Sequence, residues 1–230
     1  MLYYILFQSN LTANEAVIHF LITIFVYVFS LTLHEFAHAF VAYKCGDQTP
    51  KMSGRMTMNP LKHMDLFGFM LFIFLGIGWA KPVPVNPTNF KKYKKGTRLV
   101  SMAGVTANFL IGLVSAITFA ILMATVGLNG GVAMQYVYVV LTYAMLINSF
   151  LFMFNILPIP PLDGFNFLAT LLTPDNKFLI KLARNSIKIL FGFILMGIVT
   201  DLLFGFDIFS VYLELLFNYV YTPIMFLGVL

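Results

Sequence analysis

Only one cysteine, Cys45, occurs among the 230 residues, so no internal disulfide can form, and the thiol just after the first apolar run is expected to be structural or incidental. Charge is scarce as well. Asp, Glu, Lys and Arg make up 10% of the chain, against roughly 25% in an ordinary soluble domain. Acids are the rarer sign, nine against 14 basic residues. This shortage leaves no soluble domain of useful size. No basic residue precedes Asn14 and no small-residue cleavage site follows the first apolar run, which speaks against a cleaved signal peptide. Repeats and low-complexity linkers are absent too, so residues 1–230 are expected to form one domain.

What the chain has instead is apolar bulk: 60% hydrophobic and 17% aromatic residues, with runs long enough to cross a bilayer. The expected fold is an all-α polytopic membrane protein. Spanning helices are predicted at about 16–43, 99–126, 132–157, 186–204 and 208–230. A sixth apolar stretch, 66–80, is short for a crossing and contains Gly68, Gly76 and Gly78, which suits a re-entrant segment.

The net charge of +5 lies in short loops between apolar runs rather than on a polar face, so nucleic acid is not an expected partner and the charge acts as a topology signal. With the amino terminus outside and 66–80 dipping in and back, all 14 Lys and Arg, from Lys44 to Lys188, fall on the cytoplasmic side. A full crossing by 66–80 would scatter them. The expected location is therefore the cell membrane, multi-pass. The cluster Lys91, Lys92, Lys94 and Lys95 is taken as a topology determinant touching anionic lipid, with a regulatory protein as an alternative partner.

His34-Glu35-Phe36-Ala37-His38 carries the chemistry. On a helix, histidines at i and i+4 stand about 40° apart on one face and can share a metal, with the glutamate beside the vacant position. A catalytic zinc usually has a third protein ligand. The longer metzincin pattern would need Gly at 41 and His at 44, where Val41 and Lys44 stand. Glu15 and Glu214 lie at the wrong places in the topology, and His19 is about four turns before His34 on the same helix. Asp47, Asp65, Asp163 and Asp175 remain. Asp163 stands out because it follows a Pro-rich break, Asn155 to Leu162, at the inner end of an apolar helix, and broken backbone at membrane depth belongs where it is buried or lines a wet cavity.

Together these residues resemble the site-2 proteases, whose signatures are H-E-x-x-H and a later N-x-x-P-x-x-x-L-D-G, here His34–His38 and Asn155–Gly164. The resemblance extends through 54–65, 78–87 and Ala103-Gly104-Val105-Thr106-Ala107-Asn108, and is closest to the compact prokaryotic branch without PDZ or CBS domains. Val105, where many members have Pro, and Phe165, where many have a small residue, depart from the pattern.

The resemblance implies a zinc-dependent endopeptidase with one catalytic Zn2+, bound by His34, His38 and Asp163, with Glu35 as general base and the site toward the cytoplasm. Its substrates would be transmembrane or membrane-adjacent segments of other membrane proteins. It implies substrate contact for Asn155, and for Gly54, Arg55, Met56, Thr57 and Met58 as a small membrane-associated β element. A metal transporter or a non-cutting regulatory relative would also place histidines and acids in a membrane. Glu35 beside the open position disfavours the first and the intact ligand set disfavours the second. His63 and Asp65 are expected to be a local hydrogen-bonded element.

Overall fold

The computed structural model describes residues 11–76, 78–173, 176–204, 211 and 214–226. It is helical, and the described residues contain no β-strand. Helix α1 runs over Ala13–Cys45. It starts at a capping box, in which the Thr12 hydroxyl accepts from the Glu15 N–H and the Glu15 carboxylate accepts from the Thr12 N–H, and it ends at Gly46 with φ 117°. Two one-turn helices, α2 (Thr49–Met52) and α3 (Pro60–His63), lead to α4 (Leu66–Leu75). Then come α5 (Tyr93–Thr125), α6 (Gly131–Asn155), α7 (Asp163–Ala169), α8 (Lys177–Arg184) and α9 (Ser186–Phe204), with a last short helix over Thr222–Phe226.

Among the described residues, α1, α5 and α6 are long and apolar enough to cross a membrane. The fourth predicted span coincides with α9, of which Ser186–Gly197 counts as a shorter apolar helix, and the fifth, 208–230, lies partly outside the described residues. Asp175 and Asp207 lie outside them as well.

Helix α5 is the axis of the bundle and packs against α1, α6 and α7. Its buried residues include Gly96, Val100, Gly104, Asn108, Gly112, Ala116 and Ala120, each four positions after the last. Such a row drifts about 40° per step, so it winds slowly around the helix and meets different partners along its length. Small side chains let those partners come close: α1 at Gly104 and Tyr221 at Gly112. The opposite faces remain bare. Val17, Leu21, Phe25 and Phe29 form an exposed apolar stripe on α1, and Leu110, Val114, Ile117 and Ile121 do so on α5, an arrangement suited to lipid rather than water.

The chain goes out along residues 66–76 and is back beside its starting point at 78–80. Helix α4 has ten residues, Gly76 ends it with φ 77°, and the chain comes back to form an antiparallel bridge between Met64 and Ala80, while the Lys81 N–H donates to the His63 carbonyl at 2.7 Å. The hairpin is held by ring stacking of Tyr27 on Phe72 and by Trp79 packed against Gly68.

The β element expected at 54–58 is absent. Gly54 turns the chain with φ 68°, the Arg55 N–H closes back on the Pro50 carbonyl at 2.8 Å, and the Arg55 guanidinium donates to the carbonyls of Lys62 and Lys81. The extended stretch 81–86 offers no regular ladder partner either. Pro82 and Pro84 lack an N–H, and those of Val83 and Asn86 are committed to the carboxylates of Glu35 and Asp47.

Candidate metal centre

His34 and His38 lie on the face of α1 that packs against α5, with Ser30 one turn before and Ala42 one turn after them, all buried. Each imidazole is fixed through its Nδ1 atom. The His34 Nδ1–H donates to Oδ1 of Asn108 at 2.6 Å, and the His38 Nδ1–H donates to the Val100 carbonyl at 2.7 Å. With the proton on Nδ1, the neutral rings present bare Nε2 lone pairs. Those two atoms sit 3.1 Å apart.

The third corner comes from α7. The break 156–162 folds back on the end of α6 because Gly164 has no side chain, since a Cβ there would stand 2.0 Å from the Ile156 carbonyl oxygen. Asp163, the first residue of α7, is thereby aimed at the histidines, its Oδ2 3.3 Å from Nε2 of His34 and 3.1 Å from Nε2 of His38. That oxygen is buried and has no hydrogen-bond partner, since both ring nitrogens facing it carry lone pairs.

Three acceptors converging in this way repel one another unless a cation lies between them. A tetrahedral zinc with bonds of about 2.0 Å separates its ligand atoms by about 3.3 Å, close to the triangle found here. His34, His38 and Asp163 can therefore hold a metal ion. Helix α5 leaves room for it: a Cβ on Gly104 would come within 2.4 Å of Nε2 of His38 and 2.5 Å of Nε2 of His34.

Glu35 is buried next to this triangle in sequence and is not part of it. Its Oε2 accepts from the Val83 N–H at 3.0 Å, which ties it to the extended stretch 82–85. That stretch is anchored in turn by Asp47, fully buried just past the end of α1, which accepts from the Asn86 N–H at 2.7 Å, the Asn89 amide at 2.8 Å and the Thr49 hydroxyl at 2.6 Å. Burial works against the Asp47 charge, but these donors outweigh it and hold its carboxyl below the usual aspartate range.

A cavity of about 1200 Å³ opens onto the centre. Its lining includes His34, Glu35, His38, Asp163, Pro82, Val83 and Asn155, with apolar walls from Phe150, Phe154, Phe165 and, on α9, Leu190, Phe191 and Ile194. It exceeds the 300–1,000 Å³ typical of small-molecule pockets.

The sequence-predicted residues divide accordingly. His34, His38 and Asp163 meet, and Glu35 and Asn155 line the cavity beside them, the Asn155 amide N–H donating to the Leu151 carbonyl at 2.9 Å. Gly54, Arg55, Met56, Thr57 and Met58 do not line it. His63 and Asp65 are local: the His63 Nε2–H donates to the Thr57 carbonyl, and Asp65 caps α4 by accepting from the Gly68 N–H. Sequence reasoning places Gly104, Asn108 and Val83 within the resembling stretches without giving them a role, and weighs Asp47 only as a candidate third ligand. For Gly104 and Asn108 the available signal was their four-residue spacing.

The fold and the centre define a helical membrane protein with a two-histidine, one-carboxylate metal site. No family model matches the chain, and no solved structure does. Among curated proteins it is 38% identical over 172 residues to "Putative zinc metalloprotease YwhC" of Bacillus subtilis, covering 73% of this chain and 74% of that protein. It is 33% identical over 165 residues to Rip2 of Mycobacterium tuberculosis and 30% identical over 171 residues to Rip2 of Mycolicibacterium smegmatis, both named as zinc metalloproteases, of which it spans 60%. The chain belongs to this zinc metalloprotease family, and its cofactor is zinc.

Proposed function

We propose that the protein is an intramembrane endopeptidase that cleaves transmembrane or membrane-adjacent segments of other membrane proteins, with His34, His38 and Asp163 as zinc ligands and Glu35 as the general base. The observation that carries this reading is the triangle of three acceptor atoms at 3.1–3.3 Å, with a carboxylate outside it, at the floor of a mostly apolar cavity. When bound, zinc supplies a Lewis acid for the scissile carbonyl and acidifies the attacking water.

The chain's own residues do the rest. Glu35 takes a proton from the attacking water at its free carboxylate oxygen and returns it to the leaving amine, while the Val83 N–H holds the other oxygen in place. Asn155 is positioned to contact the substrate backbone from the cavity wall. Phe150, Phe154 and Phe191 suit the side chains of a membrane segment and exclude bulk water from an unwound peptide.

Helix α1, with 33 residues, is about 50 Å long and overruns the roughly 30 Å hydrocarbon core, with His38 about 10 Å from its carboxyl-terminal end. Together with the basic loops this supports a centre near the cytoplasmic face, five crossings, and a re-entrant 66–80 whose ends share that face.

The test is reconstitution of the protein in lipid vesicles with single-span membrane proteins and, in parallel, soluble unfolded peptides. Cleavage within or next to the span, abolished in Glu35→Gln and Asp163→Ala, is expected. Cleavage of soluble peptides alone would overturn the intramembrane reading.

A further inference from the structure

Behind the metal centre lies a chain of polar side chains that catalysis does not explain. Asn108 on α5, Asn148 on α6 and Ser30 on α1 are at most 1% exposed, in an otherwise apolar interior. The Asn108 amide donates to Oδ1 of Asn148 at 2.8 Å, and the Asn148 amide donates to the Ser30 hydroxyl at 2.8 Å and to the Ala144 carbonyl at 2.9 Å. Burying two amides is costly unless every group is paired, and here the pairing runs in one direction only. Both N–H groups of Asn148 are used, so its oxygen faces Asn108. Asn108 must then present its own oxygen to His34.

The two histidines differ in this respect. His38 is held by a backbone carbonyl, that of Val100, which no substitution removes. His34 is held by a side chain whose orientation is set two residues further back, at a carbonyl of α6. The relay leaves α1 at His34 and returns to it at Ser30, one turn earlier, after crossing α5 and α6.

We propose that Asn108, oriented by Asn148, is a positioning residue that holds His34 in its Nε2-ligating tautomer and thereby sets the affinity of the centre for zinc. This rests on the reading of His34 as a ligand. An amide at this place does what a carboxylate or carbonyl does behind other metal-bound histidines, without bringing a charge into the membrane interior.

The test uses the full chain in detergent or nanodiscs, with zinc affinity measured by chelator competition, the absorption spectrum measured with cobalt in place of zinc, and the unfolding midpoint measured without metal. Asn108→Leu, which keeps the volume and removes the acceptor, is expected to weaken zinc binding about 10- to 100-fold and to shift the cobalt bands. Asn108→Asp keeps the acceptor toward His34 but sets an oxygen against Oδ1 of Asn148 and buries a charge, so it should recover only part of the affinity that Asn108→Leu loses. Asn148→Leu, which cannot touch the metal, should fall between Asn108→Leu and the parent.

Parent-like affinity and cobalt spectrum in Asn108→Leu would overturn the proposal, as would Asn108→Asp falling as far as Asn108→Leu. If Asn108→Leu does not fold, the remaining pair decides, and parent-like binding by Asn148→Leu overturns it. His34→Ala and Asp163→Ala are measured alongside. Undiminished zinc binding in those two would refute the ligand assignment itself, whereas loss in them with no effect at 108 and 148 would refute only the relay.

Discussion

Gly104 of α5 stands directly against His38 of α1, so close that a single added methyl carbon would lie 2.4 Å from the ring nitrogen that faces the metal position. The helix–helix contact and the metal centre are therefore the same contact. Gly104 is required for the space it leaves, since nothing in its backbone needs glycine.

Gly104→Ala is expected to expel zinc or force α1 and α5 apart. A loss of about 1–3 kcal/mol of stability accompanies overpacking of this kind, and metal content should drop with it. Metal analysis of the purified variant, with thermal unfolding, checks both. A variant that keeps one zinc per chain and the parent midpoint contradicts the geometry.

Glu35→Gln separates chemistry from binding. The glutamine oxygen can still accept from Val83, and the triangle of His34, His38 and Asp163 is untouched, so zinc content should equal the parent's. Proteolysis should fall about 10²- to 10⁴-fold. Loss of zinc together with activity would place Glu35 among the ligands.

Removal of the metal by a chelator should abolish proteolysis, and added zinc should restore it. Because three acceptors are left facing one another at 3.1–3.3 Å, the metal-free protein should also unfold at a lower temperature, by an amount that grows with free zinc concentration in the comparison sample. A midpoint indifferent to zinc would count against a shared site.

Asp47→Asn should loosen the stretch that carries Val83. The carboxylate accepts from Thr49, Asn86 and Asn89, and replacing one oxygen by an N–H group turns acceptors into clashes, at about 1–3 kcal/mol. The folded-state pKa of Asp47 is depressed, so its contribution is fully present above the ordinary aspartate value of about 3.9 and is lost as pH falls through the lowered one. The parent should therefore lose stability below about pH 4, and the variant should lack that component of the acid transition. Unfolding midpoints measured from neutral to acid pH check the sign.

Gly164→Ala would press a Cβ against the Ile156 carbonyl and swing Asp163 away. Zinc affinity should fall more than it does in Gly68→Ala, which strains the hairpin at Trp79 and leaves the ligands in place. Equal effects would mean that the approach of α7 to α6 does not govern the aspartate.

Much of the site was legible along the chain because its parts are local. Residues 34 and 38 share a helix face by periodicity alone, scarcity of acids narrowed the third ligand to four aspartates, and the Pro-rich break before Asp163 marked where an apolar helix must stop. The three helices long and apolar enough to cross a membrane followed from apolar length in the same way.

The β element at 54–58 failed because strand pairing is a non-local event. Nothing in Gly54-Arg55-Met56-Thr57-Met58 reveals that the Arg55 guanidinium will be spent on the carbonyls of Lys62 and Lys81. Asp47 and Asp163 both remained as aspartates beside apolar helices, and the Pro-rich break favoured Asp163. Packing made one a clasp for Asn86 and Asn89 and the other a corner of the metal triangle.

The sequence by itself determined a membrane chain with a histidine pair and a glutamate on one helix, because hydropathy and helical spacing depend on neighbours along the backbone. The Pro-rich break and the family resemblance already pointed to Asp163, but only the tertiary structure placed it 3.1–3.3 Å from both ring nitrogens, with Gly104 clearing the space beside them and Asn108 at Nδ1 of His34. These are contacts between helices dozens of residues apart, and they exist only once α1, α5, α6 and α7 have packed together.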